Sequence, residues 1–96
     1  MLYNSQRIIT SPNARIDLSD ASVYLNGSES QTVAIDGSGA GAASPGASFR
    51  IINGSAYDAI FVPGSPQKVM GGSQLTISAG SGVTLELSPD GDWIVV

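Results

Sequence analysis

The chain has 96 residues, eight acidic and four basic, with no cysteine and no histidine. That composition excludes disulfides, thiol chemistry and iron–sulfur ligation, and it removes the imidazole on which many general-base and metal sites rely. The net charge of −4 speaks against nucleic acid, whose phosphates call for a basic stripe. No run approaches the roughly 20 apolar residues of a membrane helix. The first ten residues lack the basic and apolar regions of a secretory signal. The expected setting is therefore a soluble protein made in a cytoplasm.

The length fits one domain with a thin core. Only 12% of residues are charged, against about 25% in ordinary soluble domains. A surface so low in charge, rich in Ser, Thr, Gly and Gln, suits a chain that packs against other chains. Small domains without staples also gain stability by oligomerising.

Taken in chain order, the elements read as short strands. Residues 1–14, MLYNSQRIITSPNA, carry apolar Leu2, Tyr3, Ile8 and Ile9 with only a weak strand signal. They are expected to form an arm that orders on a neighbour. The alternative is that Ile8-Ile9 pairs in the sheet. A β domain over 15–96 follows. Arg15-Ile16-Asp17-Leu18 alternates with Ile16 and Leu18 inward. Ser22 to Leu25 is a strand, and so is Gln31 to Ile35 with Val33 and Ile35 on one face. Gly37 to Ala47 is the one low-complexity stretch.

Ser48 to Ile52 forms the next strand. Tyr57 to Val62, apolar on both faces, reads as the most buried one. Gln67 to Met70 reads as a short edge strand. Leu75, Ile77 and Ala79, then Val83, Leu85 and Leu87, alternate with polar residues, the mark of strands with one buried face. Trp93 to Val96 closes the sequence. Phe49, Phe61 and Trp93 sit in apolar strand patterns and are assigned to the core. Asn26-Gly27, Asn53-Gly54, Ala79-Gly80-Ser81-Gly82 and Pro89-Asp90-Gly91-Asp92 all read as hairpin-type turns. No 11-residue window carries a helical apolar period free of Gly or Pro. The expected fold is all-β, a single small sandwich or jelly-roll-like barrel of short antiparallel strands.

Little here points to chemistry. Lys68, the only lysine, sits among Pro66 and Gly71-Gly72 and reads as solvated. Asp17, Asp20, Asp36, Asp90 and Asp92 lie beside turns, where aspartate caps backbone N–H groups. Asp90-Gly91-Asp92 and Asp17-Leu18-Ser19-Asp20 have calcium-like spacing but too few ligands. The Gly37-Ser38-Gly39-Ala40-Gly41-Ala42 run, with Asp58 downstream, mimics a dinucleotide motif; Pro45-Gly46 prevents the helix such a motif needs. Asn26-Gly27-Ser28 and Asn53-Gly54-Ser55 are formal glycosylation sequons, better read as turns. No catalytic residue, cofactor or metal is expected.

One resemblance adds to this. Gly46-Ala47-Ser48-Phe49-Arg50-Ile51-Ile52-Asn53, the Leu75-Thr76-Ile77 run, Gly82-Val83-Thr84-Leu85 and Asp90-Gly91-Asp92-Trp93-Ile94-Val95 together resemble the small β-rich modules of tailed-bacteriophage virions. These are head decoration (cement) proteins, head fibres and tail fibres. The resemblance covers about residues 46–96 and brings no catalytic residues. It implies a structural role at the capsid surface of a virion, assembled after synthesis in the host cytoplasm. The implied partner is the major capsid protein, and the implied form is a homotrimer. Size favours a free-standing decoration protein over a fibre with a long shaft. The expected partner-binding residues are Leu2, Tyr3, Arg7, Ile8 and Ile9. The alternative is a fibre or spike tip module that binds host-surface carbohydrate.

Overall fold

The structure, a computed structural model, describes residues 6–17, 20–39 and 42–96. The described residues contain no helix and form ten strands in chain order: β1 (Arg7–Ile9), β2 (Asn13–Arg15), β3 (Ser22–Leu25), β4 (Thr32–Ile35), β5 (Ser48–Asn53), β6 (Ala59–Pro63), β7 (Lys68–Val69), β8 (Leu75–Ile77), β9 (Gly82–Leu87) and β10 (Asp92–Val95). They make two sheets, one ordered β1-β3-β5-β9-β10-β7 and the other β2-β4-β6-β8. The all-β, two-layer architecture read from the period-two patterns is what the chain adopts.

The strand directions differ from expectation. Up to β9 the chain alternates between the sheets, so each successive strand lands in the opposite layer. The winding therefore lays β1, β3 and β5 side by side in parallel, and likewise β2, β4 and β6. β7 also runs parallel to β10. Only β5–β9, β6–β8 and β9–β10 are antiparallel. The first half is thus a short two-sheet coil, neither a jelly roll nor an antiparallel meander. Register shows the winding directly. Arg7 pairs with Val23, and Val23 with Ile51. In the smaller sheet Asn13 pairs with Thr32, and Thr32 with Ile60. The longer second step absorbs the low-complexity segment between β4 and β5.

Most of the expected hairpins are accordingly crossings between layers. Asn26-Gly27 leads from β3 to β4, Asn53-Gly54 from β5 to β6, and Ala79 to Ser81 from β8 to β9. Only Pro89-Asp90-Gly91 makes a true hairpin, with Gly91 at φ +81°. Gly54 is absent from the positive-φ glycines and serves another purpose: a Cβ there would lie 2.1 Å from the Tyr24 hydroxyl oxygen.

Alternation does map to inside and outside. Val23, Leu25, Val33, Ile35, Phe49, Ile51, Phe61, Leu85, Leu87 and Trp93 are buried between the sheets, with Ile9, Ile16 and Ile77. Phe49 packs edge-on against Trp93 with centroids 5.0 Å apart, and Phe61 packs edge-on against Trp93 at 6.2 Å. Such pairs add about 0.5–1.5 kcal/mol beyond area burial. Three local expectations shift. β2 lies earlier than the strand placed over Arg15 to Leu18, although Ile16 is buried; Leu18 lies outside the described residues. Ala79 is exposed, because β8 ends at Ile77. β6 buries one face only, its Ile60 and Val62 being half-buried on the outside.

The N-terminal arm is also revised. Within residues 1–14, Arg7–Ile9 belongs to the larger sheet as β1, and Asn13 and Ala14 belong to the smaller one as the start of β2. Ile9 is buried, and its carbonyl accepts the Asn26 N–H. The apolar pair Ile8-Ile9 is therefore one edge strand with an inner and an outer side chain. Leu2 and Tyr3 lie outside the described residues.

Candidate interaction surfaces

The expected partner residues are divided by the fold. Arg7 faces the core side of β1 at the open end of the coil. Its guanidinium donates to the Arg15 carbonyl and to the Asp20 carboxylate, each at 3.0 Å. It thus straps the larger sheet to the smaller one across the end of the core. Ile9 is core. Ile8 remains an outward side chain, 65% exposed. A second tie lies beneath the strap. The buried Gln31 amide donates to the carbonyls of Ile9 and Ser11 and accepts the Gly27 N–H. Every hydrogen-bonding function of that side chain is directed at the backbone of the first coils, a strong reason for its burial. The polar position before β4 gave no hint of this in the sequence.

The carboxylates are spread over the molecule as backbone and ion-pair partners. Asp20 takes the Asp17 N–H beside Arg7. Asp36 pairs with Arg15 on the surface. Asp58 accepts the Ala79 N–H, and Asp92 accepts the Gly71 N–H. Among the described residues no three or more His, Cys, Asp or Glu converge as metal ligands would. No buried side-chain nitrogen or oxygen among them lacks a partner.

Three outer features could meet a partner. The first is the solvent face of the smaller sheet. Its register sets Asn13, Thr32, Ile60 and Thr76 in one row and Arg15, Ala34 and Val62 in the next. Thr32, Ala34, Ile60 and Val62 are half-buried, and Arg15 is the only charged member, neutralised by Asp36. A shallow hollow of about 250 Å³ lies over Asn13, Ala14, Arg15, Thr32 and Ala34.

The second is an open groove of about 410 Å³ by β7, walled by Pro63, Pro66, Gly71 and Gly72, with Lys68 at its side. Lys68 is exposed and joins neither of the ion pairs found among the described residues.

The third is Met70, 56% exposed, directly after β7. Its φ of +49° and that of Gly71 at +78° fold Val69 to Gly72 into a tight reversal closed by mutual backbone hydrogen bonds. A left-handed conformation costs a side-chain-bearing residue about 1–2 kcal/mol. The Met70 thioether sits 3.4 Å from the Val95 nitrogen and accepts its N–H.

Aromatic chemistry is scarce outside. Among the described residues Tyr57 is the only ring more than a third exposed, and Tyr24 is half-buried. Phe49, Phe61 and Trp93 are interior, and the Trp93 indole N–H is held by the Gln67 side chain at 3.1 Å. No protein-family model matches this sequence, and no curated protein matches it either.

Proposed function

We propose that the chain is a structural protein of a tailed-bacteriophage virion, a decoration protein that binds the major capsid subunits and stabilises the head. The observation that carries this reading is the outer face of the smaller sheet. Thr32, Ala34, Ile60 and Val62 make a run of small and β-branched side chains whose one charged neighbour in the register, Arg15, is paired with Asp36. Such a face loses little solvation when it packs against another protein wall, since few charges must be desolvated. The motifs of residues 46–96 support the same setting, and the role is read as non-enzymatic. A homotrimer is the assembly proposed, with Leu2, Tyr3 and the exposed Ile8 as further contact residues. The carbohydrate-tip reading draws less support, because a sugar platform calls for neighbouring exposed rings and Tyr57 stands alone among the described residues.

The test is co-sedimentation with expanded capsids. The intact protein should pellet with them. Ala34→Lys, which puts an unpaired charge on the half-buried outer face, should lose binding at least tenfold while keeping its β-type circular dichroism. Binding to host polysaccharide by an intact protein that ignores every capsid would overturn the reading.

A further inference from the structure

The larger sheet has a strand edge at each end, and the two edges are treated differently. β7 covers β10 only beside Asp92 and Trp93. Beyond that point the chain turns away at Met70, and among the described residues no strand lies along Ile94 and Val95 on that side. Hydrogen bonds show which groups face the gap. The Trp93 carbonyl takes the Met70 N–H on the β7 side, whereas Asp92 and Val96 bond to the β9 side through Ser88 and Thr84. Val95 therefore directs its N–H outward, where a neighbouring strand would supply a carbonyl. The Met70 thioether, a weak acceptor, stands in that place.

Sheet edges are ordinarily protected by charge, proline, bulges or a cover. Residues 93–96, Trp-Ile-Val-Val, contain neither charge nor proline. The tight turn alone would be better served by Gly or Asn, which tolerate its left-handed geometry. What methionine adds at this position is the cover.

We propose that Met70 is a plug on the outer edge of β10, and that the edge it closes accepts β1 of a second copy of this chain. Direction selects β1 as the occupant. β9 is antiparallel to β5, and β10 is antiparallel to β9, so β10 runs the same way as β5, β3 and β1. A translated copy thus presents β1 to β10 in the parallel sense already used within the coil. Among the described strands β1 is bonded only to β3, so its other edge is open. Ile9 bonds toward β3 through Asn26, which leaves the Ile8 N–H on the open side. Between copies related by translation, a head-to-tail contact of this kind does not close into a ring and lengthens into a filament. The plug therefore holds the protein back from end-to-end growth. This inference does not rest on the virion reading.

Light scattering after size exclusion, over a range of protein concentration, tests it. Met70→Gly should keep a melting temperature no lower than the parent and gain mass with concentration beyond the parent's own state. Met70→Asn suits the same backbone angle and lacks the apolar cover; it should behave alike and serves if the glycine variant fails to fold. Adding Ile8→Pro, which deletes the outward N–H and spares the bonds to β3, should return the mass to the parent value. Parent-like mass for both Met70 variants at every concentration would overturn the plug. Growth that persists with Ile8→Pro would overturn β1 as the occupant.

Discussion

Asn53 in β5 donates its side-chain N–H to the carbonyl of Ile77 in β8, 2.9 Å away in the opposite sheet. The same nitrogen reaches the Tyr57 carbonyl at 2.7 Å, and its oxygen takes the Ser55 hydroxyl at 2.7 Å. A fully buried amide thus locks the crossing from β5 to β6 onto the other layer.

Asn53→Ala should cost about 3 kcal/mol in urea unfolding, since it strands buried backbone carbonyls that then pay their desolvation. Asn26→Ala, in the matching triplet but exposed, should stay within about 0.5 kcal/mol. Equal losses at both sites would mean that the two triplets do the same work.

Leu85→Ala should cost about 2–5 kcal/mol, because the side chain is fully buried and leaves a cavity. Glu86→Ala on the outer face should change stability by no more than about 0.5 kcal/mol. Chemical denaturation of the two variants reads the contrast, and similar losses would break the link between alternation and burial.

Two glycines of the low-complexity loop should respond through different physics. A Cβ on Gly37 would lie 1.5 Å from the Gly64 carbonyl oxygen, so Gly37→Ala must force two backbones apart and should cost more than about 3 kcal/mol. Gly39, at φ +81° with open space around it, should lose only about 1–2 kcal/mol as alanine. Thermal melts that rank them the other way would refute the close approach.

Arg7→Gln should lower global stability by about 1 kcal/mol or less, as expected for a half-exposed ion pair, but open the first coil locally. Hydrogen exchange should accelerate at the Asn26 amide, which bonds to Ile9, and remain slow at Gly54, which bonds to Leu25 one strand further in. Equal acceleration at both amides would show that Arg7 supports the whole sheet and not its end.

Strand positions and the core were legible because burial of one face imposes a period of two on the sequence. Ser22 to Leu25 and Ser48 to Asn53 announce themselves that way, and so do Leu85 and Leu87. Pairing direction was not legible, because a strand buried on one face reads the same whichever way its neighbour runs. Asn-Gly signalled a change of direction at residues 26 and 53, yet the same dipeptide serves a crossing between layers. The Arg7 strap and the Gln31 and Asn53 ties join positions distant in sequence, so no local pattern encodes them. Met70 was invisible for the opposite reason: the sequence pattern put it at the end of the edge strand Gln67 to Met70, whereas β7 stops at Val69 and the φ of Met70 places it in the turn.

The winding also bears on how the chain reaches its fold during synthesis. Successive strands of the coil are far apart in sequence, and each must close a long loop before any pairing rewards it. Among the described strands, the β9–β10 hairpin is the one sequence-adjacent pair bonded to each other. β5, the middle of the larger sheet, has β9 as one of its two neighbours. A ribosome therefore releases the first coils before the hairpin that flanks them exists. The larger sheet is completed only when β9 and β10 follow, since until then the β9 side of β5 has no partner strand.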